Sequence, residues 1–206
     1  MMKTVFGVGG IPGVTTPAVA SAVFGVLAGI GADKTTTMRC LLDIIRPTSG
    51  QVRVLGKDPR AGGPELRRRI GYLPGELFLE GRLTGRTLLA HYQAISGPVP
   101  PGRIEDLAER LGLDLDRHTR KLSKGNKQKL GLVQAFMHDP ELLVLEEPTR
   151  ALAPLVQPDF HAMTRDAQHN GTTTFLSSHA PPHAPPTAPP FAPPHPAPPL
   201  APAPPT

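Results

Sequence analysis

Short apolar runs alternate in the middle of the chain with stretches whose apolar residues recur every three or four positions. The runs predict buried β-strands at 24–27, 70–73, 142–145 and 172–176. The three-to-four spacing and the flanking cap residues predict helices at 34–45, 64–69, 84–95, 104–111, 125–138 and 158–169. Val52 and Val54 alternate with polar residues and predict an edge strand. This alternation of strands and helices predicts an α/β fold, with a mostly parallel sheet flanked by helices on both faces.

Composition divides the chain into three segments. Residues 1–22 form an atypical N-terminal segment rich in Gly, Val, Ala and Thr, and residues 23–179 carry the predicted α/β domain. Residues 180–206 are Ala-Pro-Pro repeats without a charged residue. The chain has 27 Pro among 206 residues, against a usual share of about 5%. The tail has too much proline for helix or sheet, so we expect a disordered or polyproline-II extension.

The bulk chemistry excludes several classes of protein. Seven Phe, two Tyr and no Trp are too few for the stacking platform of a single-strand nucleic-acid binder, so no nucleic acid is expected, although the net charge is +5. Cys40 is the only cysteine, which rules out an internal disulfide and fits a reducing compartment. No stretch reaches the roughly 18 apolar residues that span a bilayer.

A damaged phosphate loop lies between the first predicted strand and helix. The pattern G-x-x-x-x-G-K-[ST] is matched at Lys34 and Thr35, but Ala28 and Asp33 replace its glycines. Backbone N–H groups at such a helix start can cradle phosphate. Asp33 should weaken binding, by about 1–2 kcal/mol if its backbone is left-handed and by about 4 kcal/mol through charge repulsion. The candidate nucleotide-binding residues here are Gly31, Ala32, Asp33, Lys34, Thr35 and Thr36.

A second candidate anion site opens the helix predicted at 125–138. Ser123, Gly125 and Asn126 lie in the sequence Leu-Ser-Lys-Gly-Asn. A serine hydroxyl and a glycine amide at a helix N-terminus can bind an anion, whereas the simpler interpretation is a serine N-cap alone.

Two carboxylates, Glu146 and Glu147, follow the most apolar predicted strand. Ligands of parallel sheets bind beyond the carboxyl ends of the strands, so these acids are candidates for catalysis and metal binding. The alternative is a strand that simply ends in solvated acids.

The Lys-Thr loop, the LSKGN turn and the Glu-Glu strand, in that order, resemble the Walker A, signature and Walker B motifs of the ATP-binding cassette (ABC) ATPases. The LSKGN form is similar to a bacterial exporter subgroup. The resemblance covers residues 23–179 and implies a P-loop NTPase-like fold, with a helical subdomain at about 76–138 that carries the signature. It implies ATP and Mg²⁺ as ligands, Glu147 as general base, and Thr35 with Glu146 at the metal. It also implies that His179 contacts the γ-phosphate.

The chain departs from the family pattern at several motif positions. Glu146 stands for the usual Asp, Gly75 for a Mg²⁺- and water-sensing Gln, and Ala153 for the Asp of the D-loop. Residues 1–22 lack the aromatic that stacks on adenine. The alternatives are therefore a degenerate, non-hydrolysing binding module, or a soluble ABC ATPase that serves DNA or ribosomes. The abrupt change after residue 179 also fits a shifted reading frame, which the other frames of the DNA would test.

The resemblance implies an ATP-binding subunit docked on membrane permease subunits, as a homodimer or paired with a second ATPase subunit. ATP would lie between the Lys34 loop of one subunit and the Ser123 turn of another. Residues 70–95 would face the permease, and the protein would be cytoplasmic and peripheral on the inner face of the membrane.

Overall fold

The structure is a computed structural model that describes residues 23–26, 33–47, 52–79 and 81–177, with the backbone alone at 23–26, 33 and 34. Its centre is a sheet of four parallel strands in the spatial order β1-β4-β3-β2. The strands are β1 (Val23–Val26), β2 (Ile70–Leu73), β3 (Leu142–Glu146) and β4 (Thr173–Ser177). The predicted α/β fold with a parallel sheet is confirmed.

The register brings the carboxyl ends of the strands to one edge. Leu73 of β2 lies beside Leu145 of β3, and the next residue of β3, Glu146, lies beside Ser177 of β4. All five residues of β3 are buried, which explains why its apolar run is continuous rather than alternating. The loops that follow β2 and β3 therefore leave from the same side of the sheet.

Within the described ranges, six helices connect and cover the strands. They are α1 (Asp33–Leu41), α2 (Pro59–Arg67), α3 (Gly85–Ser96), α4 (Arg103–Arg110), α5 (Lys124–Phe136) and α6 (Gln157–His169). Short 3-10 turns lie at Thr119–Lys121 and Pro154–Val156. In the parts of the chain that the structure describes, no helix is long and apolar enough to cross a bilayer.

The sheet separates two apolar clusters because neighbouring strand residues point to opposite faces. Leu143 and Leu145 pack into the larger cluster, which gathers residues of α3, α4, α5 and α6. Leu142 and Val144 pack into the smaller one, with residues of α1 and α2. Each leucine buried in this way stabilises the fold by about 1.5–3 kcal/mol.

Two predictions are wrong, and a third is incomplete. The edge strand at Val52 and Val54 is a tight turn, closed by a single bridge between Val54 and Lys57. The helix predicted to start at residue 64 is the second part of α2: Gly63, with a φ of 53°, separates it from a first turn of helix that was not predicted, which Asp58 caps by accepting the Arg60 N–H at 2.8 Å. α1 ends at Leu41 rather than at residue 45, and Asp43 beyond it has a left-handed φ of 56°.

Residues 1–22 and 180–206 lie outside the described residues. Their assignment as an atypical N-terminal segment and a Pro-rich tail stays a prediction.

Gly71 of β2 lets α5 lie directly on the sheet. A Cβ at this position would overlap the carbonyl oxygen of Ala135 and come within 2.8 Å of Leu143 Cδ2. We expect Gly71→Ala to lower the free energy of unfolding by about 1–3 kcal/mol, because helix and strand must separate. Gly81→Ala is the matched control, since its nearest neighbour would be Arg120 Cβ at 3.4 Å. Urea unfolding of both variants measures the difference, and equal losses would contradict the close approach.

His138, next to the end of α5, makes stability depend on pH. It is 9% exposed, and burial lowers its pKa, an effect that the Ile70 backbone and the Asp139 carboxylate partly offset. Neither ring nitrogen makes a hydrogen bond of ordinary geometry. Because protonation is disfavoured in the folded state, its contribution is complete above the unfolded pKa of about 6.5 and is lost as pH falls below that value.

We expect the free energy of unfolding to fall between pH 7.5 and 5.5, by at most about 1.4 kcal/mol per pH unit for one histidine. His138→Leu should flatten this slope. His161, whose pKa burial also lowers, should account for part of the slope that remains in this variant. Urea unfolding curves across this pH range test the expectation, and an unchanged slope in the variant would refute it.

Candidate functional site

A cleft of about 420 Å³ opens at the carboxyl edge of the sheet. α1 contributes to one wall, the segment after β2 to another, and the ends of β3 and β4 to its floor. Its lining residues are Thr35, Arg39, Tyr72, Pro74, Gly75, Glu76, Phe78, Glu146, Glu147, Arg150 and Ser177. Three predicted site residues, Thr35, Glu146 and Glu147, therefore share one cleft although more than 100 residues separate the first from the others.

Glu146, the last residue of β3, is a buried carboxylate with a fixed partner. It is 5% exposed, and its Oε1 accepts a hydrogen bond of 2.7 Å from the hydroxyl of Tyr72. Burial and this carboxylate both raise the pKa of Tyr72, so the tyrosine remains a proton donor at neutral pH. The bond holds one oxygen of the carboxylate in a defined position.

Glu147 occupies a turn that is held by its backbone. Its φ of 46° is left-handed, a conformation that costs a non-glycine residue about 1–2 kcal/mol. Its N–H donates to the Ser177 carbonyl at 3.0 Å. The side-chain amide of Gln128 donates to the carbonyls of Glu147 at 3.3 Å and of Pro148 at 3.1 Å. Several hydrogen bonds thus fix the turn that sends Glu147 into the cleft.

The Ser123 turn begins α5 but does not line the cleft. The Ser123 hydroxyl accepts the Asn126 N–H at 3.2 Å, which is an N-cap. Gly125 packs against the loop after β3, since a Cβ there would lie 2.8 Å from the carbonyl oxygen of Ala151. α5 therefore touches that loop twice, through Gly125 and through Gln128.

The start of α1 supplies the remaining predicted residues. Asp33 and Lys34 are its first two residues, and Thr35 lines the cleft, whereas Thr36 is exposed and does not. Since Asp33 lies within a right-handed helix, the left-handed strain expected there is absent. The predicted residues Gly31, Ala32 and His179 lie outside the described residues.

The donor set of the cleft fits Mg²⁺. Thr35, Glu146 and Glu147 offer a hydroxyl and carboxylate oxygens, which are the ligands that this hard cation prefers. Over the described ranges, no group of three His, Cys, Asp or Glu side chains is arranged to hold a metal alone. Such a partial set suits an ion that also takes oxygens from phosphates and water. Arg39 and Arg150 add two cations to the walls.

Comparison with known proteins identifies the family. The sequence profile described as "ABC transporter" matches residues 19–150. The chain belongs to the ABC transporter family. This ABC protein is 36% identical over 160 residues to the bacitracin transport ATP-binding protein BcrA of Bacillus licheniformis, across 76% of its own length and 52% of the relative's. It is 32% identical over 163 residues to the ABC transporter ATP-binding protein NatA of Bacillus subtilis, across 76% and 66% of the two lengths.

Solved structures agree with this ABC fold. One described as the ATP-binding subunit of an ABC transporter superposes with a TM-score of 0.76 at 24% identity, covering 87% of this chain and 80% of that one. A putative ABC transporter ATP-binding protein from Pyrococcus furiosus gives 0.74 at 18%, covering 89% and 94%. The chain spans about half the length of the BcrA relative that it matches.

Two residues of this ABC site, Gln128 and Tyr72, hold the glutamates in position and are not among the predicted site residues. Gln128 is buried on α5 among apolar residues, and a buried amide in an apolar stripe was the available signal. Tyr72 gave no signal, because its contact with Glu146 depends on the pairing of β2 with β3.

Replacing Gln128 tests the support of the Glu147 turn. Gln128→Met keeps the length of the side chain but removes both donated hydrogen bonds, leaving two carbonyls without this donor. We expect the free energy of unfolding to fall by about 1–3 kcal/mol. Gln134→Met is the matched control, because Gln134 lies on the same helix and is partly exposed. Chemical denaturation compares the two variants, and an equal effect would show that the bonds to the turn contribute nothing.

Proposed function

We propose that this protein is the ATP-binding subunit of an ABC transporter, which binds and hydrolyses ATP with Mg²⁺ to drive transport through a membrane permease. The main support is the shared cleft, which is lined by Thr35 near the start of α1 and by Glu146 and Glu147 at the end of β3. Family membership and the parallel sheet support the same conclusion.

The start of α1 would hold the phosphates. Backbone N–H groups of Gly31, Ala32, Asp33 and Thr36 would donate to the phosphates, and Lys34 would supply a positive charge. Because Asp33 lies in a helix, the cost of a left-handed backbone does not arise. The remaining cost is the repulsion between the Asp33 carboxylate and the phosphates, which the site must offset.

The end of β3 would supply the chemistry. Thr35 and Glu146 would hold Mg²⁺, which when bound neutralises charge that develops on the phosphates. Glu147 would take the proton of the attacking water, and the hydrogen bonds to its backbone keep its side chain in the cleft. His179 would contact the terminal phosphate.

A second subunit would complete the site. The Ser123 turn caps α5 outside the cleft of its own chain, and Ser123, Gly125 and Asn126 would meet a nucleotide held by a partner subunit. The active form would then be a homodimer or a pair with another ATPase subunit. We propose residues 23–179 as the ATP-binding domain, with the helical subdomain at about 76–138.

The permease would dock near residues 70–95, where Phe78 at the mouth of the cleft is 88% exposed. In that arrangement the protein lies in the cytoplasm, peripheral on the inner face of the membrane, and nucleic acid is not among its ligands.

The second candidate is a module that binds nucleotide without hydrolysing it. It is favoured by Glu146, which stands where the family has Asp and has one oxygen engaged by Tyr72. The two candidates differ in phosphate release but not in binding.

Calorimetry with Mg-ATP on the full chain and on Lys34→Ala tests binding. We expect micromolar binding that Lys34→Ala abolishes, because the lysine reaches the phosphates. Glu147→Gln should still bind ATP, while steady-state phosphate release falls by about 100-fold or more. Glu109→Gln, which removes a carboxylate from the exposed side of α4, is the matched control.

Binding without phosphate release in the wild type would favour the second candidate. Absence of binding at millimolar ATP would contradict both.

A further inference from the structure

Two departures from the family pattern lie next to each other in space. Gly75 and Glu146 are 71 residues apart in sequence, yet a Cβ on residue 75 would lie 3.4 Å from Glu146 Oε2 and 3.6 Å from Glu146 Cβ. A long side chain at residue 75 would therefore compete with the carboxylate of Glu146 for the same part of the cleft.

The backbone does not require glycine at residue 75. The glycines with left-handed φ within the described ranges are Gly56, Gly63, Gly97, Gly102, Gly112 and Gly171, and Gly75 is not one of them. Any residue could adopt its conformation. What glycine provides here is space beside Glu146.

Tyr72 fixes the other side of the same carboxylate. Its hydroxyl donates to Glu146 Oε1 at 2.7 Å, and the tyrosine packs against the smaller apolar cluster. In the pairing of β2 with β3 it lies beside Val144, two residues before Glu146. Because Glu146 is 5% exposed, water cannot easily replace this donor.

We propose that Tyr72 and Gly75 are positioning residues for Glu146. The tyrosine hydroxyl holds Oε1, and the space at residue 75 accommodates Oε2 of the longer side chain, so that Oε2 faces the cleft as the oxygen directed to the Mg²⁺ of a bound nucleotide. The substitution of Glu for Asp and the loss of a side chain at residue 75 are then one compensated change. This inference rests on the proposed function only for the identity of the cation and its nucleotide.

The contact itself can be tested without any ligand. Urea midpoints of the wild type, Tyr72→Phe, Glu146→Asp and the double variant form a cycle. We expect Tyr72→Phe to lower the midpoint less than half as much in the Glu146→Asp background, because the shorter carboxylate does not reach the hydroxyl. An equal shift in both backgrounds overturns the inference.

The role toward the cation is tested by binding rather than by turnover. Calorimetry with ATP at increasing Mg²⁺ gives the Mg²⁺ concentration for half of the maximal affinity. We expect Tyr72→Phe to raise it about tenfold, the effect of losing one hydrogen bond to a charged group, with ATP binding in EDTA unchanged. Tyr92→Phe removes the other tyrosine hydroxyl of the chain, away from the cleft, and should leave the Mg²⁺ dependence as it is.

Compensation is tested at residue 75. Gly75→Gln should raise the Mg²⁺ requirement, and Glu146→Asp in the Gly75→Gln background should lower it again. A double variant no better than Gly75→Gln overturns the compensation. A wild type that binds no ATP counts against the proposed function instead, and the ligand-free cycle then decides the positioning of Glu146 by itself.

Discussion

The pairing of β3 with β2 on one side and with β4 on the other determines where the two carboxylates of the cleft lie. β3 is buried along its whole length, so its register cannot slip without exposing apolar side chains. The same register sets Glu146 beside Ser177, two positions beyond the Tyr72–Val144 pair. The cleft is a consequence of parallel strands that end together, one residue before the chain turns at Glu147.

α5 is the second element on which the site depends. It lies on β2 through the bare backbone of Gly71, and it holds the loop after β3 through Gln128 and Gly125. The turn at Glu147 is left-handed and costs free energy, which the hydrogen bonds from Gln128 and to Ser177 offset. Core packing and site geometry are therefore carried by the same helix.

The sequence was sufficient for the elements whose ends carry strong local signals. β2 begins and ends as predicted, because Arg69 and Pro74 bound four apolar residues, and Thr84 caps α3 as its side chain suggests. The edge strand predicted at Val52 and Val54 is absent because two alternating valines occur equally well beside a tight turn. Leu55 and Gly56 form this turn with positive φ. Local spacing cannot distinguish the two.

For the site, the sequence motifs predicted Thr35, Glu146 and Glu147, and the structure places these three residues in one cleft. The contact between Tyr72 and Glu146 could not be foreseen, since it joins residues 74 apart whose meeting depends on strand order and register. For Gln128 the amide within an apolar stripe was a signal, but its partners are backbone carbonyls that no residue type reveals.

The double attachment of α5 has a thermodynamic consequence. The helix begins at the Ser123 turn and, one turn later, grips the backbone of Glu147, so a displacement of its first turn displaces the floor of the cleft. Two ligands that both act on α5 then change each other's affinity by the same factor, whichever binds first. Such coupling would pass through α5 and the turn at Glu147.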